Sequence, residues 1–215
     1  MKLGFGKSVV FSRNALLAQY VLQKNQKNYT KSPIQTRDLA KYVGRGLLTA
    51  EGRHWATQRK LIQPAFHKKH LENLIAKMSE VVAGELAKIE VGRPFDIFPI
   101  YNDLAFQTVV QALFSGAADA KTISRLQTIT EEAQAMLVKE LRQPYLHWWF
   151  RLSGKLENNL KKTREARQLI HNLVEERIAS GVRQNDLLDM LLDARYDDDT
   201  AMDIEQLIDE IFILF

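Results

Sequence analysis

Residues 44–66 read GRGLLTAEGRHWATQRKLIQPAF. Gly44 and Gly46 mark irregular backbone. From about Gly52 to Gln63 the stretch reads as a helix, and Pro64 stops it. Trp55 and Arg59 lie four apart on that helix, about 40° from each other around its axis. An indole N–H beside a guanidinium fork makes a donor pair suited to a carboxylate or a phosphate. The same spacing also serves a plainer purpose, in which Trp55 is core and Arg59 snorkels from its edge. The residues alone leave both readings open.

On the N-terminal side, residues 28–52 carry Pro33, Gly44, Gly46 and Gly52. They read as a long loop with a helical turn near Thr36–Tyr42, and a loop of that length usually serves a ligand or a function. Before it, Ser12 is expected to cap a helix to about Lys27, with Leu17, Tyr20 and Val21 on one face. Lys7–Phe11 reads as a short strand with no visible partner.

On the C-terminal side the pattern is helical throughout. From His67 to Glu90 the apolar positions Leu71, Leu74, Ile75, Met78, Val82, Leu86 and Ile89 recur at three and four, an amphipathic helix closed by Gly92 and Pro94. Pro99 suits the first turn of the next helix, which runs to Phe114 and is apolar nearly all round, so it is expected to be covered on every side. Asp119 to about Arg142, Leu156–Ser180 and Asn185–Ala194 read as further helices, with Pro144 and Gly181 as stops. Asp203 opens a last helix that grows steadily more apolar to Phe215. That face is expected to be left uncovered by these residues, as if the helix were cut within a hydrophobic run.

Composition narrows the function classes. With 46% hydrophobic and 26% charged residues the chain is ordinary globular material rather than disordered. Zero cysteines exclude disulfides, zinc-thiolate sites and thiol nucleophiles within these residues. The net charge of +4 comes from 30 basic residues interleaved with 26 acidic ones, too dilute to argue for nucleic acid. No run approaches the roughly 20 apolar residues of a membrane span, and no secretion signal is visible at the start. A soluble, cytoplasmic protein is the expectation.

The order G-x-G-L-L-T, then E-G-x-x-W-x-x-x-R-(basic)-x-x-x-P-A-F, resembles the entry to the helix that runs past the haem in the cytochrome P450 family. The similarity continues to NDLLDMLLDARYDDDTAMDIEQLIDEIFILF, which is similar to the family's short helix, acidic loop and start of its long central helix. The resemblance implies a mainly α fold: the N-terminal and middle helices of the P450 fold, as one partial domain over 1–215, stopping at the start of the central helix. It implies a haem cofactor, with Trp55 and Arg59 at a propionate and His54 as a possible assistant. It places Leu47 and Leu48 on the substrate side. Lys60, Lys68 and Lys69 would form part of a basic surface for an acidic electron-transfer protein or reductase. The implied chemistry is insertion of one oxygen atom from O2 into a hydrophobic organic substrate with NAD(P)H-derived electrons. The family's cysteine ligand, its E-x-x-R helix and its oxygen-activating threonine are not among these residues. No catalytic residue is therefore assigned within the chain, no metal ligand either, and the residues alone are expected to be inert.

Other candidates carry less. His67 and His70 are three apart but flank Lys68 and Lys69, as a solvated helix start would. Asp197–Asp199 lacks calcium-loop spacing and reads as a turn. Trp148, Trp149 and Phe150 suit either a lid over a substrate channel or ordinary helix-end packing. A cofactor-free helical interaction module is the alternative from another class. It leaves the long glycine loop and the W-x-x-x-R context unexplained.

Overall fold

The computed structural model describes residues 2–3, 7–8, 10–66, 68–90, 92–115 and 118–215, with the side chains of 2, 3, 7, 8, 68–71 and 73 left aside. The chain divides into two compact units, Met1–Ser32 and Pro33–Phe215.

In the first unit, β1 (Lys2–Leu3) and β2 (Lys7–Ser8) pair antiparallel, Lys2 opposite Ser8 and Leu3 opposite Lys7. The strand read at Lys7–Phe11 therefore does have a partner, and it is shorter than expected. Helix α1 (Ala15–Gln19) is capped by Asn14, whose Oδ1 accepts from the Leu16 and Leu17 amides, and not by Ser12. Ser12 Oγ instead accepts the Asn14 amide, one step further back. The helix then widens into a π turn over Tyr20–Lys24.

The second unit is built from helices alone among its described residues, apart from one isolated bridge. A π-helical stretch, Ile34–Leu39, runs into α2 (Ala40–Val43), which falls on the helical turn expected there. After the glycine loop come α3 (Gly52–Ile62) and α4 (Lys68–Leu86). The next two are α5 (Ile97–Phe114) and α6 (Ala120–Arg142). Then follow α7 (His147–Leu152), α8 (Lys155–Ser180), α9 (Leu187–Asp193) and α10 (Ile204–Phe212). Aspartates start most of the later ones: Asp96, Asp119, Asp186 and Asp203 each accept an orphan first-turn amide. Gly181, at φ +63°, ends α8 where a left-handed residue is needed.

Periodicity explains the packing. Leu126, Ile129, Ala133 and Met136 form the buried stripe by which α6 meets α8. The main core collects Leu61 and Ile62 of α3, Val110, Leu113 and Phe114 of α5, Ile170 and Val174 of α8, and Leu188 and Leu191 of α9. A smaller core joins Tyr42, Met136, Phe150 and Leu156. No helix of the described residues is long and apolar enough to cross a membrane.

Two expectations fail here. Helix α5 is covered only in its second half; Ile97, Phe98 and Tyr101 in its first turns stand exposed. Helix α10, expected to be bare, is among the best buried elements: Leu207, Ile208, Ile211 and Phe212 lie in the main core. The Phe215 ring stacks against Phe106 and Phe114, with centroids 5.3 and 6.4 Å away. Residues a hundred positions upstream provide that cover.

Candidate functional site

The loop before α3 owes its shape to α10. Gly44 adopts φ +79°, ψ −158°, a region open essentially to glycine. A Cβ at Gly44 would overlap the Asp209 carboxylate, and one at Gly46 would overlap Ile213 and come within 2.8 Å of Glu210 Oε2. The missing side chains let the backbone press onto α10. The Arg45 amide donates to Asp209 Oδ2 at 2.6 Å, and the Leu47 amide donates to Glu210 Oε2 at 2.8 Å. Thr49 Oγ1 closes the loop on itself by donating to the Gly44 carbonyl.

A second layer holds the two carboxylates. Gln206 Nε2 donates to Glu210 Oε1 at 2.9 Å and to the Arg45 carbonyl at 3.3 Å. Arg167 of α8 pairs with Asp209 and, at 3.0 Å, with Glu205. Burial pushes the Glu210 carboxyl above its ordinary range; the Leu47 amide, Gln206 and His54 pull the other way, and Asp209 adds to the rise.

On α3 the buried face is Gln58, Leu61 and Ile62. Trp55 is half-buried at the edge of that face. Arg59 is exposed, and its guanidinium carbon lies 5.2 Å from the Trp55 ring centroid. The structure thus brings the two together as the spacing predicts. Arg59 makes no ion pair among the described residues. A guanidinium steadied on an indole face, with its fork still available, suits a carboxylate or a phosphate.

The remaining predicted residues separate. His54 Nε2 lies 3.1 Å from the Arg45 carbonyl, tying the helix start back to the loop. Leu47 packs against the main core, whereas its neighbour Leu48 is exposed. Lys60 is drawn to the acidic turn, its Nζ 2.7 Å from both oxygens of Asp197. The side chains of Lys68 and Lys69 lie outside the described residues, as do those of His67 and His70. An open groove of about 750 Å³ lined by Thr57, Lys60, Leu61, Met190 and Tyr196 faces away from Trp55.

Asp197–Asp199 is a turn between the bridged residues Arg195 and Ala201, with Asp199 at φ +64°. Phe150 is core, while Trp148 and Trp149 meet edge to face and stay exposed. Asp209 and Glu210 were not singled out from the sequence. Two adjacent carboxylates opening the apolar run IFILF were the signal that a buried polar partner existed.

The Cytochrome P450 family profile matches residues 1–215. Among curated relatives, human Cytochrome P450 4B1 is 27% identical over 93% of this chain and 43% of its own length. Echinocystic acid 23-monooxygenase of Saponaria officinalis is 24% identical over 84% of this chain and 38% of its own. The chain thus spans less than half the length of these relatives. A solved structure, retinoic acid bound cyanobacterial CYP120A1, superposes with a TM-score of 0.70 at 22% identity, over 98% of this chain and 46% of that one. That likeness shows the mainly α fold, and the family match sets aside the cofactor-free interaction module and brings haem as the cofactor. The chain belongs to the cytochrome P450 family.

Proposed function

We propose that the protein containing these residues is a haem-dependent monooxygenase acting on a hydrophobic organic substrate. It would insert one atom of O2 into a C–H bond and reduce the other to water with two electrons from NAD(P)H and two protons. The relative named echinocystic acid 23-monooxygenase supports the reaction type. A sulfur-ligated haem supplies the oxygen activation when bound. The 215 residues contain no cysteine, so their own work is to bind and orient, and taken alone they are inert. The two units would belong to one such domain, since the family match runs through both.

In this reading Trp55 and Arg59 hold a propionate, with His54 bracing the helix start. Leu47 and Leu48 shape the substrate side, and Lys60, Lys68 and Lys69 form part of a basic face for an acidic electron donor. The observation that carries the reading is Arg59 poised over the Trp55 ring. Its test is haem transfer from the loaded protein to an apo-acceptor. Arg59→Ala is expected to lose haem faster than Lys60→Ala, because a charge-assisted hydrogen bond is worth roughly 1.5–3 kcal/mol. Equal rates for the two variants would remove Arg59 from the cofactor site.

A further inference from the structure

Two neighbouring carboxylates on α10 take alternate amides of the glycine loop, Asp209 from Arg45 and Glu210 from Leu47. This is a costly arrangement. Glu210 is almost fully buried, and a buried carboxylate is tolerated only where its acceptor sites are filled. Here Oε2 takes the Leu47 amide and Oε1 the Gln206 amide. The two glycines give up side chains to allow the approach. The loop carries Leu47, hydrogen-bonded to Glu210 through its amide, and exposed Leu48 next to it.

We infer that Glu210, assisted by Asp209, is a positioning residue for the leucine pair. By fixing the Leu47 amide to α10 it sets where Leu47 and Leu48 stand, and so the shape of the space in which a substrate is held. This rests on the proposed substrate-side role of the two leucines. Glu210 touches no reacting atom; it acts through the backbone of the loop.

The test uses the whole, haem-loaded protein with Glu210→Leu, Glu210→Gln, Asp209→Ala and Leu48→Ala variants. The first readout is hydrogen exchange of the Leu47 and Arg45 amides. The second is the affinity ratio of 4-phenylimidazole to imidazole, two iron ligands that differ by a phenyl group. Glu210→Leu is expected to speed Leu47 exchange about tenfold or more and to shift the ratio in the same direction as Leu48→Ala. Glu210→Gln keeps an acceptor for the amide and is expected to stay near the parent in both. Asp209→Ala releases the Arg45 amide instead. It is expected to speed Arg45 exchange and to shift the ratio in the direction of Leu48→Ala. If Glu210→Leu does not fold, an unchanged ratio in Asp209→Ala would overturn the inference. Faster exchange with an unchanged ratio, while Leu48→Ala moves that ratio, would overturn the positioning role. A ratio that Leu48→Ala itself leaves unchanged would overturn it through the substrate-side reading, whatever the exchange shows. Unchanged exchange in Glu210→Leu would overturn the tie.

Discussion

Lys60 and Asp197, 137 positions apart, meet on the surface with Nζ 2.7 Å from both carboxylate oxygens. Both side chains are largely exposed, 70% and 82%, so the pair contributes little to stability. It does change what a partner meets, because Asp197 neutralises a lysine on the proposed electron-donor face. Asp197→Asn is expected to leave the melting temperature unchanged and to speed reduction by an acidic donor at low ionic strength. Salt should erase the difference as it screens the exposed charge. Identical rates at low salt would take Lys60 off that face.

Gly44→Ala is expected to destabilise the protein by about 2 kcal/mol or more. The backbone at φ +79°, ψ −158° penalises any Cβ, and Asp209 must also be displaced. Gly181→Ala makes a useful comparison. It also has a positive φ, but in the left-handed helical region at ψ 6° and with open space where the Cβ would be, so only the milder strain of that region applies and the loss should be smaller. Chemical denaturation of the two variants measures the difference, and equal losses would mean that contact with α10 adds nothing.

The helices were legible because their signals are local. Asp119 and Asp203 precede apolar periodic runs and cap them, and Gly181 follows one and ends it. The pairing of Trp55 with Arg59 was legible for the same reason, four residues along one helix. What escaped was set by distance. Nothing near Phe215 tells that Phe106 and Phe114 will cover it. Likewise Asp209 and Glu210 look like solvated helix charges until the loop from residue 44 is folded over them. Asn14 and Ser12 are both competent caps, and only the backbone path chooses between them.

A buried charge cluster makes the same point and is open to measurement. Arg177 of α8 reaches Asp186 with two bonds of 2.9 Å, Asp189 at 2.8 Å and the Phe114 carbonyl at 3.2 Å. Arg177→Ala is expected to cost about 3–5 kcal/mol, since it strands two buried carboxylates. Burial works to raise the Asp189 pKa, but Arg177 and the amides of Gln184 and Asn185 outweigh it and hold the group below its ordinary range. A depressed carboxyl stabilises the fold above its unfolded value, about 3.9, and that contribution is lost as pH falls through the folded value. Asp189→Asn should therefore flatten the acid side of the stability profile below about pH 4. A parent and variant that lose stability in parallel there would contradict this.

Glu210 is expected to act on stability with the opposite sign. Burial raises its carboxyl above the unfolded value of about 4.3. Between the two values the folded chain binds the proton and the unfolded chain does not, so stability falls as pH rises through this interval. Every group facing the carboxyl enters the balance: the Leu47 amide, the Gln206 amide and His54 favour the charged form, and Asp209 opposes it. Asp209 is itself partly offset by Arg167. Glu210→Gln keeps the shape and an acceptor but cannot ionise. Relative to the parent, its melting temperature should rise as pH goes from about 4 to 8, with the gap levelling off once the parent's Glu210 is fully charged. Repeating the comparison in a His54→Gln background removes the imidazole from the same neighbourhood, and the gap should then widen, because one of the groups favouring the carboxylate is gone. A gap that shrinks with rising pH would mean that the loop amide and its neighbours stabilise the carboxylate more than burial disfavours it.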